Sequence, residues 1–155
     1  MVRIATKRPT SDLEAIPTKP QSEYNYDLTA AFPNVDPGVK PLGSRILVQI
    51  RSPRARSKGG ILLTGNDRDA ELWNEMTAKV IALGPLAYKN RTTMEPWPEG
   101  DWVKPGQYVR VPKYGGDRLQ YGNVGDPDFA LFVTFNDHEV ISAITGDPLT
   151  MKTTI

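Results

Sequence analysis

Asp67, Asp69 and Glu71 alternate along the chain, and carboxylates this close together are the raw material of a calcium site. The glycine and further oxygen ligands of a calcium loop are missing around them, so the stretch reads as a solvated acidic loop. His138 stands between Asp137 and Glu139, a setting that could tune an imidazole for proton transfer. No nucleophile lies near it in sequence, and a capping or surface histidine is expected. It is the single histidine of the 155 residues, and cysteine is absent. A histidine-built zinc centre, a Ser-His-Asp triad, disulfides and thiolate chemistry therefore lack material. Trp73, Trp97 and Trp102 could stack nucleobases, but the basic stripe that accompanies such platforms is missing, which favours core or interface roles. No catalytic residue, metal or cofactor is expected, and the chain reads as a non-enzyme.

The pattern that remains is apolar. Gly59-Gly60 and Gly65 bracket Ile61, Leu62 and Leu63, with Thr64 closing the group. Arg51, Arg54, Arg56 and Lys58 stand on the entry side. No period of two or 3.6 runs through the segment, so it reads as a loop. A short buried strand is the ordinary account of an apolar triplet. Paired glycines weaken a permanent strand, because glycine loses the most backbone freedom on ordering. The composition suits a tether that extends when a partner takes it.

The elements that must hold this tether follow from the rest of the chain. With 19 basic and 18 acidic residues, the net charge of +1 gives no electrostatic case for nucleic acid or a membrane surface. The chain has neither an apolar run long enough for a bilayer span nor the apolar core of a secretory signal. Fourteen prolines and thirteen glycines point to many turns and a mainly β body. Residues 1–40 carry Pro9, Pro17, Pro20, Pro33 and Pro37 in a polar background, which reads either as a disordered tail or as an extended arm that lies on a neighbouring subunit, with Tyr24, Tyr26 and Phe32 as its buried anchors. Ile46, Val48 and Ile50 alternate with polar residues, which predicts a strand over 45–51 with one buried face. Thr77–Gly84, Tyr108–Val111 and Ala130–Phe135 read as further strands. Turn signals at 114–117 and 121–123 suggest a small hairpin between them. Residues 139–144 read as a closing strand or helical turn, and 70–76 as either one helical turn or loop. These short strands predict a small, partly open β-barrel over 41–145, followed by a tail at 146–155.

In that order, four pieces resemble the GroES-type co-chaperonin family. Pro41-Leu42-Gly43-Ser44-Arg45-Ile46-Leu47-Val48 looks like its opening strand, and Lys58-Gly59-Gly60-Ile61-Leu62-Leu63 like the core of its mobile loop. Lys79–Gly84 followed by Val103-Lys104-Pro105-Gly106-Gln107-Tyr108-Val109 is similar to its next strands. Asp137–Ile144 is similar to its closing strand. The resemblance implies a GroES-like barrel with a mobile loop over about 51–76 and a roof hairpin within about 85–106. It implies a ring-forming co-chaperonin, heptameric as in the family, that caps an ATP-bound chaperonin ring through Gly59–Thr64 and assists folding in the bacterial cytoplasm. Neighbouring subunits would then join through Arg45, Ile46, Val48 and Ile50 on one side and Val140, Ile141 and Ile144 on the other. Trp97 and Trp102 would lie near the ring axis. GroES-like folds also occur in zinc-dependent alcohol dehydrogenases, whose cysteine ligands and dinucleotide-binding glycines are absent here.

The sequence departs from the family pattern in its 40-residue N-terminal stretch, in Gln107 where aspartate is usual, in the Trp- and Pro-rich roof, and in the tail. Such elaborations resemble the divergent co-chaperonins of bacteriophages. They leave a second reading, a structural virion protein that cements or decorates a capsid and grips the major capsid protein with its arm.

Overall fold

The computed structural model describes residues 27–53, 72, 74–123 and 126–151. Six strands form one antiparallel sheet: β1 (Arg45–Ile50), β2 (Thr77–Leu83), β3 (Tyr108–Arg110), β4 (Asp117–Tyr121), β5 (Ala130–Asn136) and β6 (Ser142–Ala143). Their order is β4-β5-β1-β2-β3-β6, and the sheet does not close. The described residues are thus mainly β, as the alternating patterns require.

β1 is the axis of the sheet, with β5 along one edge and β2 along the other. Ile46, Val48 and Ile50 point into the main core with Val80, Val109, Val133 and Phe135. The expectation of a single buried face does not hold, because Leu47 and Gln49 on the opposite face are buried too. The cover comes from the N-terminal side. A single helical turn, α1 (Leu28–Ala31), is capped by Asp27, whose side chain accepts from the Ala30 N–H. The chain then crosses the outer face of the sheet, and Val35 packs against the cluster of Leu47, Ala130 and Phe132. The Gln49 amide donates to the Pro33 carbonyl at 2.9 Å, and Phe32 meets the Tyr108 ring at 5.2 Å between centroids. A polar side chain is tolerated on this buried face because it has that partner.

Glycine is required where strands come together. A Cβ on Gly84 would lie 2.3 Å from the Gly43 carbonyl oxygen, and one on Gly116 would lie 2.6 Å from Val133 Cγ1. The turns at 114–117 and 121–123 do flank a strand, but β4 pairs with β5 rather than folding into a hairpin of its own. The expected closing strand is divided. Asp137–Glu139 form a turn of 3-10 helix, and only Ser142 and Ala143 join the sheet, beside β3. Leu72 is buried in the main core and accepts from the Glu75 N–H, so the end of the 70–76 stretch belongs to the body.

Candidate functional site

The apolar group Gly59, Gly60, Ile61, Leu62, Leu63 and Thr64, the acidic trio at 67–71, Trp73 and the anchors Tyr24 and Tyr26 lie outside the described residues. What the structure shows is the base from which residues 54–71 depart. Arg51, one residue beyond β1, donates from Nε and Nη2 to Glu75 Oε1 at 2.9 and 2.6 Å. Its Nη1 donates to the Pro148 carbonyl at 2.6 Å. The other Glu75 oxygen accepts from the Met76 and Thr77 N–H groups at 3.0 and 2.9 Å. Both side chains are nearly buried, with 10% and 4% exposure. A buried ion pair persists only when its remaining donors and acceptors are satisfied, and here backbone groups do that.

The base is tied further. The Arg51 N–H donates to Thr77 O, extending the β1–β2 ladder by one bond, and the Ser52 N–H donates to Ala31 O at 2.8 Å. Ser52 Oγ reaches Phe129 O at 3.3 Å. The strap of residues 27–35 across the outer face, the sheet, the turn around Pro148 and the described residues that flank 54–71 therefore meet at one place. In the sequence Arg51 is only one of four basic residues on the entry side of the apolar group, and Glu75 carries no expected role; a lone Arg and a lone Glu 24 positions apart carry no local signal of pairing.

In the connection between β2 and β3, the Trp97 N–H donates to Tyr88 O and the Asn90 N–H to Glu95 O, which makes 88–97 a hairpin. Asn90 Oδ1 accepts from the Thr92 and Thr93 N–H groups at its tip. Trp97 and Trp102 pack on Tyr88 and on each other within their own subunit, at centroid distances of 5.2 to 5.6 Å. Tyr88 takes a left-handed backbone, φ 59°, held by its N–H bond to Asp137 Oδ2. Its hydroxyl is buried without a hydrogen-bond partner among the described residues. Burial first, then the charges of Asp137 and Asp101, push that hydroxyl's pKa far above the ordinary tyrosine value. His138 is two-thirds exposed, with Nδ1 3.5 Å from Asp137 Oδ1, and lines an open cleft with Arg45, Lys89 and Arg91. Among the described residues no group of three acidic or histidine side chains could hold a metal, and no helix is long and apolar enough to cross a membrane.

The expected interface residues divide. Ile46, Val48, Ile50 and Val140 are core residues, and both edges of β1 are occupied within the subunit, so β1 has no edge to offer a neighbour. Arg45 and Ile141 are exposed and Ile144 is half-buried. Among the described residues the outermost strands of the sheet are β4 and β6. Phe32 is buried on its own barrel.

The fold and site define a small open antiparallel barrel whose longest insertion leaves between its first two strands. The model of the Cpn10 family, the chaperonin 10 kDa subunit, matches residues 38–143, and the chain belongs to that family. It is similar to the co-chaperonin GroES of Clostridium beijerinckii, 33% identical over 84 residues that cover 53% of this chain and 78% of the relative. The mitochondrial 10 kDa heat shock protein of Saccharomyces cerevisiae is 28% identical over 109 residues, 70% of this chain and 91% of its own. The co-chaperonin GroES of Methylacidiphilum infernorum is 28% identical over 112 residues, 72% and 99% respectively.

Proposed function

We propose that the protein is a ring-forming co-chaperonin that caps a chaperonin and assists protein folding. The observation that carries this reading is the family match across 38–143, which includes the whole sheet and the Gly59–Thr64 group. Ile61, Leu62 and Leu63 are the partner contacts, and nucleotide belongs to the chaperonin. Ring contacts fall on Arg45, Ile141 and Ile144, beside the open edge of β6. The virion alternative rested on the length of the N-terminal stretch. Residues 27–35 are used to cover the chain's own sheet, and no observation favours the alternative.

A pull-down with purified chaperonin and nucleotide tests the reading. Wild type is captured, and Leu62→Asp at matched ring concentration is not, because the lost contact recurs in every subunit. Equal capture of both, or no capture of wild type by any chaperonin tried, overturns it.

A further inference from the structure

The base of the 54–71 stretch is more elaborate than a β1–β2 connection requires. Two backbone strands can set the spacing of a loop by their ladder alone. Here a buried guanidinium and a buried carboxylate bridge the two stems, and the segments outside the family match are bonded to the same stem. The strap before residue 38 reaches it through Ala31 O and the Ser52 N–H; the turn after residue 143 reaches it through Pro148 O and Arg51 Nη1. Pro148 is itself buried, in a turn where Asp147 accepts from the Leu149 and Thr150 N–H groups. Glu75 Oε1 takes two bonds from Arg51, and Oε2 takes the N–H groups of the residues that start β2. The stems are thus fixed to each other by side chains, and the β1-side stem is bonded to both terminal extensions, through the Ser52 N–H and through Arg51 Nη1.

We infer that Arg51 and Glu75 form a positioning clamp for the partner-binding stretch, and that both terminal extensions are parts of that clamp. The inference rests on the co-chaperonin reading for the partner, but not for the clamp. Residues 51 and 75 touch no chaperonin in this scheme. They fix where, and in what direction, the chain leaves and re-enters the barrel. Fixing those ends in advance lowers the ordering cost left for binding, since fewer residues remain to be immobilised by the partner. The N-terminal strap and C-terminal turn then adjust partner affinity from a distance, by tightening or releasing the stems.

The test uses full-length protein with Arg51→Met and Glu75→Leu together, which removes both charges and leaves no buried orphan ion. Glu75→Gln alone serves as a second variant that keeps one acceptor for Arg51 but leaves its charge buried without a counter-ion. A third variant ends at Gly146 and so lacks Pro148. Amide hydrogen exchange is followed at Met76 and Thr77 in the stem and at Phe132–Phe135 in β5, with native mass spectrometry for assembly and chaperonin binding for affinity. Stem amides are expected to exchange at least ~10-fold faster in the double variant, the truncation and Glu75→Gln, with β5 unchanged. Chaperonin affinity should fall about 10-fold or more at unchanged assembly mass, through faster dissociation. Equal acceleration at stem and β5 would mean that the pair supports global stability only, and overturns the clamp. So would wild-type stem exchange, or wild-type affinity with loosened stems. If wild type binds no chaperonin, the co-chaperonin reading fails, and the stem amides alone decide the clamp.

Discussion

Tyr88 concentrates the conflicts of the molecule in one residue: a left-handed backbone, a fully buried ring and a hydroxyl with no partner among the described residues. Leaving a buried hydroxyl unpaired costs about 1–3 kcal/mol. Tyr88→Phe keeps the ring against Trp97 and Trp102 and removes the orphan, so it should raise stability by about 1 kcal/mol at pH 7, read from urea unfolding. The pKa adds a second signature. Folded Tyr88 holds its proton well above the ordinary value, whereas the unfolded chain releases it near pH ~10. Its contribution is therefore fully present below about pH 10 and falls as pH rises further, by about 1.4 kcal/mol per pH unit. Tyr88→Phe should flatten the alkaline slope by that one group, and an unchanged slope would mean that the hydroxyl is solvated or paired. Gln107 is a milder departure. Its side-chain oxygen accepts the Lys104 N–H at 2.9 Å and closes the turn before β3, a task that the family's aspartate could share through the same acceptor chemistry.

The strap is the element that least resembles its expectation. Phe32 is 5% exposed, and full burial of such a ring is worth roughly 1.5–3 kcal/mol. The Gln49–Pro33 and Ser52–Ala31 bonds add about 1 kcal/mol each. Compared with a protein that lacks residues 1–26, one that lacks 1–36 should be less stable by about 3–5 kcal/mol and expose Leu47 and Phe132. Equal stability of the two deletions would make the strap dispensable. The boundary near residue 40 follows from proline content, which records the loss of helix and sheet but not whether extended chain lies on a core. β1, β2 and β5 were legible because β-branched and aromatic residues alternate or run together between turn signals. The second buried face of β1 was not, since Gln49 broke the apolar pattern and its partner, Pro33, is 16 residues away. The Arg51–Glu75 clamp was hidden for the same reason: long-range pairs of charged residues leave no period.

At the scale of the whole molecule, the proposed capture calls for more than one subunit. Burying Ile61, Leu62 and Leu63 supplies roughly 4.5–9 kcal/mol together, against about 1–2 kcal/mol for each of the half-dozen backbone residues that must be fixed. A single copy should therefore bind weakly. Several copies on one assembly make later contacts intramolecular, and avidity can rise about 10²–10⁴-fold. On this proposal, capture depends also on residues that never touch the chaperonin. Ile141 is the sharpest probe of this. It is 57% exposed beside β6, whose outer edge has no strand in the sheet, and its N–H already bonds Arg110 O within the subunit. A large apolar side chain next to an open edge is placed to meet another copy. Ile141→Asp should leave the circular dichroism spectrum unchanged, because no core contact is lost. Native mass spectrometry should show it shifted to monomer, and chaperonin capture should fall by about 100-fold or more although Gly59–Thr64 is untouched. A monomeric variant that still binds as tightly as wild type would show that one copy suffices, and avidity would then have no part in the mechanism. An intact assembly in Ile141→Asp would move the ring contact away from β6, leaving β4 as the free edge to test next.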